Sequence, residues 1–146
     1  MISRKMEKLF PRAPLKIIAM EGCKELGQKV NDYIVNFRQS SYRVELKSPM
    51  YATYLQDNYL VDAHCPRFGS GEAKGVLNES VRGKDLFIMT DVCNYSLTYS
   101  VNGYVNHMSP DDHYQDLKRL ISAANGKEHR LNIIMPFLYE SRQHKR

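Results

Sequence analysis

The sequence has no tryptophan, only three cysteines and no long apolar run, and each scarcity excludes something. Its longest apolar stretches cover a few residues, against the roughly 20 that a membrane-crossing helix needs. A helical span is therefore excluded. Cys23, Cys65 and Cys93 are widely separated and odd in number, with no C-x-x-C pair and no Cys/His cluster at zinc-ligand spacing. Neither a disulfide scaffold nor a zinc module fits, and a reducing, cytoplasmic setting is expected. No signal-peptide pattern precedes the sequons at Asn78 and Asn94, so neither carries weight. Also missing are a G-x-x-x-x-G-K-[ST] phosphate loop, a Ser/His/Asp constellation and paired carboxylates. His64, His107, His113 and His129 stand alone, as surface or structural histidines do.

What is present is a chain of 146 residues, 42% hydrophobic and 25% charged, which suits one compact domain. The formal charge of +5 suggests a nucleic-acid partner until it is located. Residues 1–16 carry +4 and residues 142–146 carry +3, leaving 13 basic against 15 acidic residues between them. That interior cannot supply a uniformly basic face, so neither a nucleic-acid nor a membrane partner is expected.

Residues 1–14 are basic, carry Pro11 and Pro14 and show no period, as an extended arm would. Residues 15–20 form a strand signature. A helix should follow, with Leu26, Val30, Tyr33, Ile34 and Phe37 as its buried stripe. Residues 39–57 are polar and aperiodic, as in an insertion. Strand signatures recur at 59–64, 74–77 and 86–89, punctuated by glycines. Residues 95–108 suggest a small β excursion turning at Asn102-Gly103. Ser109-Pro110-Asp111-Asp112 starts a second helix and Asn125-Gly126 stops it, with Tyr114, Leu117, Leu120, Ile121 and Ala124 facing inward. A last strand spans 131–136. This order predicts a three-layer α/β/α domain with a mainly parallel sheet and two insertions.

Three segments could carry chemistry. In Arg67-Phe68-Gly69-Ser70-Gly71-Glu72 the glycines miss the dinucleotide fingerprint by one residue, and no helix pattern follows. The segment is either a plain turn or a ligand loop whose aromatic, carboxylate and guanidinium could stack on a base, accept from an amine and meet a phosphate. Arg142-Gln143-His144-Lys145-Arg146 is either a solvated basic end, a nucleic-acid tail or an anion cradle. Ser80-Val81-Arg82-Gly83 is either a turn before a strand or a phosphate contact.

Taken in order, Arg67 to Glu72, Asn78 to Ile88 and Arg142-Gln143 resemble the N-terminal half of ribose-phosphate pyrophosphokinases, over most of residues 15–146. The resemblance implies a phosphoribosyltransferase-type α/β domain and transfer of diphosphate from ATP to ribose 5-phosphate, with magnesium neutralising the phosphates. It implies that Phe68 stacks on adenine while Ser70 and Glu72 bond its edge, reaching into a neighbouring subunit's site. Arg142 and Gln143 would hold ATP in their own subunit, and Ser80 and Arg82 an allosteric phosphate or ADP. Dimers within hexamers are the expected assembly, with no metal ligand or catalytic residue in this chain. Residues 39–57 and 95–108 look like insertions, Ser70 stands where the family has Asp or Asn, and His144 stands where it has an acid. The motifs expected beyond Arg146 would complete the site, so the chain alone is expected to be inactive. The alternative is a non-catalytic, synthetase-like regulatory subunit.

Overall fold

A computed structural model describes residues 12–41 and 53–143. Most of the arm, residues 42–52 of the first insertion and His144 to Arg146 lie outside the described residues. Strand β1 (Leu15–Ala19) leads through a 3-10 turn (Glu21–Cys23) into helix α1 (Lys24–Ser41). Short strands β2 (Ala63–His64) and β3 (Val76–Leu77) follow, then β4 (Asp85–Met89), β5 (Thr98–Val101) and β6 (Tyr104–His107). Helix α2 (Pro110–Ala124) and strand β7 (Arg130–Ile134) complete the described order.

The sheet is β1-β4-β7, parallel throughout, and β2-β3 and β5-β6 are separate antiparallel ribbons. Alternate strand residues serve opposite faces, as the period of a strand requires. Ile18, Leu86 and Ile88 pack with Leu117, Leu120 and Ala124 of α2. Ile17 and Met89 pack with Tyr59 and with Val30, Ile34 and Val35 of α1. The two helices therefore cover the two faces.

Helix α2 has the ends its sequence announces. Ser109 and Asp112 form a reciprocal capping box, Pro110 occupies the first turn, and Asn125 closes the helix in the left-handed region at φ 59°. The stripe expected on α1 is corrected. Tyr33 is 71% exposed, and Leu26 and Phe37 are also exposed. Val30 and Ile34 of that stripe do pack against the sheet, and buried Gly27 and Asn31 complete the contact. A Cβ on Gly27 would lie 2.4 Å from the Ala19 Cβ, so only glycine allows this approach. Buried Asn31 accepts a hydrogen bond from the Tyr59 amide at 2.8 Å.

The strand expected over 59–64 is likewise two pieces. The Ile17 amide donates to the Tyr59 carbonyl and the Val61 amide to the Ile17 carbonyl, each at 2.8 Å, giving a parallel bridge at Leu60. The chain then leaves the sheet and enters the β2-β3 ribbon. Both ribbons spring from the carboxyl ends of parallel strands, which is where the loops of α/β sheets collect ligands.

Candidate functional site

Residues 62–78 form one irregular antiparallel ribbon with the glycine loop at its tip. Its rungs are the Asn78 amide to the Asp62 carbonyl at 3.0 Å, β2 with β3, the Lys74 amide to the Pro66 carbonyl at 3.3 Å, and a bridge from Arg67 to Ala73. At the tip the Gly71 amide donates to the Phe68 carbonyl at 2.9 Å and the Phe68 amide to the Glu72 carbonyl at 2.7 Å. Gly71 has φ +90°, a conformation that a side chain would strain. The Ser70 hydroxyl donates to Glu72 Oε2 at 3.3 Å and orients that carboxylate.

The loop is fastened from below by charge. Arg67 Nη2 pairs with Asp116 Oδ2 at 3.0 Å, and Arg119 pairs with the other oxygen of the same carboxylate. Asp116 is buried, so two guanidiniums repay its desolvation. Arg67 Nη1 also reaches the Gly71 carbonyl at 3.4 Å, which ties the network directly to the loop. Cys65 lies beside it, its thiol directed at the Asp116 carbonyl at 3.6 Å. Burial and then the Asp116 charge push that thiol up to about 11, so it is a poor nucleophile.

An open groove of about 470 Å³ lies against this loop. Ser70, Gly71 and Glu72 form one side, Tyr99, Val101 and Asn106 of the second ribbon another, and Asp112, Gln115 and Arg119 of α2 the floor. Arg67 and Arg119 stand against Glu72, Asp112 and Asp116, so the groove has no excess of positive charge. It suits a neutral polar group better than a phosphate. Phe68, on the same loop, does not line this groove and is 49% exposed.

Arg142 and Gln143 occupy a separate segment after β7. Tyr139 fastens that segment to α2 by stacking on Tyr114 with ring centroids 4.3 Å apart and by donating to Asp111. The bond to that carboxylate raises the Tyr139 phenol to about 12. The Arg142 guanidinium sits 6.0 Å from the Phe137 ring centroid, and the Gln143 amide donates to the Glu140 carbonyl at 3.2 Å. Neither residue lines the groove.

Ser80 and Arg82 lie at the opposite end of the sheet, in a hollow of about 340 Å³ shared with Lys127 and the last turn of α2. The Arg82 amide donates to the Ser80 hydroxyl at 3.3 Å, and the Gly83 amide to the Lys127 carbonyl at 2.8 Å. Two cations and a hydroxyl there can meet an anion, beside a Glu79 carboxylate that pairs with Lys16 at 3.0 Å. They work against the negative end of the α2 dipole.

Of the groove's lining, the sequence alone singles out the Arg67 to Glu72 segment, whereas Tyr99, Asn106, Gln115 and Arg119, with Asp116 pairing Arg67 and Arg119, are brought there only by the fold. The spacing of Asp116 and Arg119, one helical turn apart, was the one local signal available. Among the described residues no group of three or more His, Cys, Asp or Glu side chains converges as a metal site. None of the helices there is long and apolar enough to cross a membrane.

A parallel three-stranded sheet with helices, two antiparallel ribbons and an open polar groove beside the glycine loop defines an α/β domain. More narrowly, residues 15–146 match the family described as the N-terminal domain of ribose phosphate pyrophosphokinase, and the chain belongs to that family. Membership places it among pyrophosphokinases, a transferase class. No curated protein matches the chain.

Proposed function

We propose that this chain is the ATP-handling, N-terminal part of a ribose-phosphate diphosphokinase. In that reaction the anomeric hydroxyl of ribose 5-phosphate attacks the β-phosphorus of ATP. The bond from that phosphorus to the α,β-bridging oxygen breaks, AMP leaves, and the hydroxyl proton is released. The observation that carries the reading is the pairing of Ser70 and Glu72 at a groove without excess positive charge, with exposed Phe68 on the same loop. A carboxylate accepts from an exocyclic amine and an aromatic face stacks on a base, whereas phosphates need cations.

In this reading Phe68, Ser70 and Glu72 serve the adenine of a neighbouring subunit in a homo-oligomer. Arg142 and Gln143 serve ATP within their own subunit, and Ser80 and Arg82 serve an allosteric phosphate or ADP. The wider three-layer phosphoribosyltransferase-type arrangement and a cytoplasmic setting belong to the same proposal. Magnesium would enter bound to the ATP phosphates. The described side chains offer it no cluster of their own, so no step here is routed through it.

Calorimetric titration with a non-hydrolysable ATP analogue tests the reading. Wild type is expected to bind. Phe68→Ala is expected to lose about tenfold in affinity, the worth of a stacked base. Unchanged affinity in the variant, with the assembly intact by sedimentation, would remove the adenine assignment.

A further inference from the structure

The β5-β6 ribbon has no part in the reading above, yet it walls the groove that Ser70 and Glu72 line. We propose that this ribbon is a base-selecting element, in which Asn106 bonds the edge of the adenine and Tyr99 positions the glycine loop through Arg67. The inference rests on the ATP reading of that loop and deepens it.

Register puts these residues in place. Asn102 and Gly103 have φ of 51° and 84°, a two-residue turn with both central residues in the left-handed region. That turn pairs Val101 with Tyr104 and Tyr99 with Asn106 directly across the ribbon. Cross-strand partners share a face, so Tyr99, Val101 and Asn106 are presented together to the groove, and a one-residue slip of β6 would put Asn106 on the face opposite the other two. The base of the ribbon is anchored as well. His113, buried on α2, has its Nε2 at 2.8 Å from the Asn94 carbonyl, and the Met108 amide donates to the Leu97 carbonyl at 2.8 Å.

Contact with the loop is direct. The Arg67 guanidinium lies 4.5 Å from the centre of the Tyr99 ring. A Cβ built on Gly71 would stand 3.4 Å from Val101 Cγ2. The ribbon therefore packs against the same arginine and the same glycine that shape the loop.

Chemistry then asks for Asn106. An ionised carboxylate only accepts, and Glu72 alone would bond the N1–H and amine of guanine at least as well as the amine of adenine. Selecting adenine needs a donor for a ring nitrogen beside an acceptor for the amine. A carboxamide carries both, which is why Asn and Gln pair bidentately with adenine elsewhere. Asn106 uses one N–H on the Tyr104 carbonyl at 3.3 Å, which leaves its other N–H and its oxygen for a ligand.

The test is a titration of the full chain and its variants with non-hydrolysable ATP and GTP analogues, with thermal melts to verify folding. Wild type should prefer the ATP analogue. Asn106→Ala should weaken that analogue about fivefold, leave the GTP analogue unchanged and so narrow the preference by the same factor. Tyr99→Leu should weaken both analogues together, and Tyr99→Phe, which keeps a ring beside Arg67, should rescue that loss. If Asn106→Ala keeps affinity and preference while Glu72→Gln weakens binding, the ribbon proposal falls and the ATP reading stands. Equal binding of the two analogues by wild type, or a preference lost in Gln115→Ala but kept in Asn106→Ala, also overturns it. Absence of any binding of the ATP analogue by wild type overturns both.

Discussion

The two ends of the parallel sheet are built on different principles. At the carboxyl end, two ribbons are held over the strands by buried side chains. One carboxylate, Asp116, binds Arg67 beneath the glycine loop and Arg119 on α2. At the amino end, the Ser80 to Lys84 turn is held by its backbone: Lys84 amide to Val81 carbonyl at 3.1 Å, Gly83 amide to Lys127 carbonyl at 2.8 Å, and His129 amide to Lys84 carbonyl at 2.8 Å. Ser80 and Arg82 are exposed, and of their side chains only the Ser80 hydroxyl takes part in the turn, accepting from the Arg82 amide. A groove made by side-chain charge shares its residues with stability, whereas a hollow made by backbone leaves its side chains free for a ligand.

Asp116→Ala is the strongest way to break that contrast. It would strand two largely buried guanidiniums and is expected to cost about 4 kcal/mol, read as a lowered urea midpoint. Stability within the error of wild type would mean that the ribbons do not depend on the network. Gly75→Ala is next. Its Cβ would lie 2.4 Å from the Arg119 carbonyl oxygen, backbone that cannot swing aside, so the β2-β3 ribbon must lift from α2. The expected cost is about 2 kcal/mol. Gly69, in the same ribbon, has open space around its Cβ position and no positive φ, and Gly69→Ala should leave the midpoint unchanged.

The same contrast governs how far the sequence could be interpreted. Helix α2 was legible because Ser109, Pro110, Asp112 and Asn125 act on their own backbone. The turn at Asn102-Gly103 was legible for the same reason. Helix α1 was legible in part: Val30 and Ile34 of the expected stripe meet the sheet. The rest of that contact runs through a glycine and a buried asparagine, which carry no apolar signal, while Tyr33 and Phe37 stack on each other at 6.2 Å in the open. Ser70 and Glu72 stand out because the loop is continuous in sequence, although its residues alone leave a plain turn and a ligand loop both open. The other walls of their groove lie on a ribbon and a helix that only tertiary packing brings there, and no local pattern announces Tyr99 or Asn106.

Acid and alkali should act on opposite ends, an effect smaller than those of the core variants. At the amino end, Asp85 is bonded by Arg130 and Asn132, and chiefly the Arg130 bond holds its carboxyl below the ordinary value. A lowered carboxyl stabilises the fold above its unfolded pKa, and that contribution is lost as pH falls through the folded one. At the carboxyl end the Cys65 thiol is raised to about 11. Its contribution is complete below the ordinary thiol value and is lost as pH climbs toward the raised one. Hydrogen exchange should therefore quicken first around β4 and β7 in acid and around the β2-β3 ribbon in alkali. Cys65→Ala should abolish the alkaline part alone, and uniform exchange at both extremes would show that the two ends do not open separately.

The smallest expected change in stability is the one that sharpens the comparison most. Arg82→Ala removes an exposed side chain from a turn held by main-chain bonds and by the Ser80 hydroxyl, none of which uses the guanidinium, so the urea midpoint should move by less than about 0.5 kcal/mol. Under the proposed phosphate or ADP role its effect belongs to binding. The hollow beside Arg82 and Lys127 faces the C-terminal end of α2, whose dipole repels an anion, so the cations must outweigh the helix. Removing one of the two should weaken inorganic phosphate or ADP by about tenfold, a charge-assisted hydrogen bond's worth, and added salt should weaken wild type in the same direction. A variant that binds phosphate as wild type does would leave Ser80 to Gly83 as a turn and nothing more. A variant that loses both phosphate and stability would show instead that this end, like the other, shares its ligand groups with its fold.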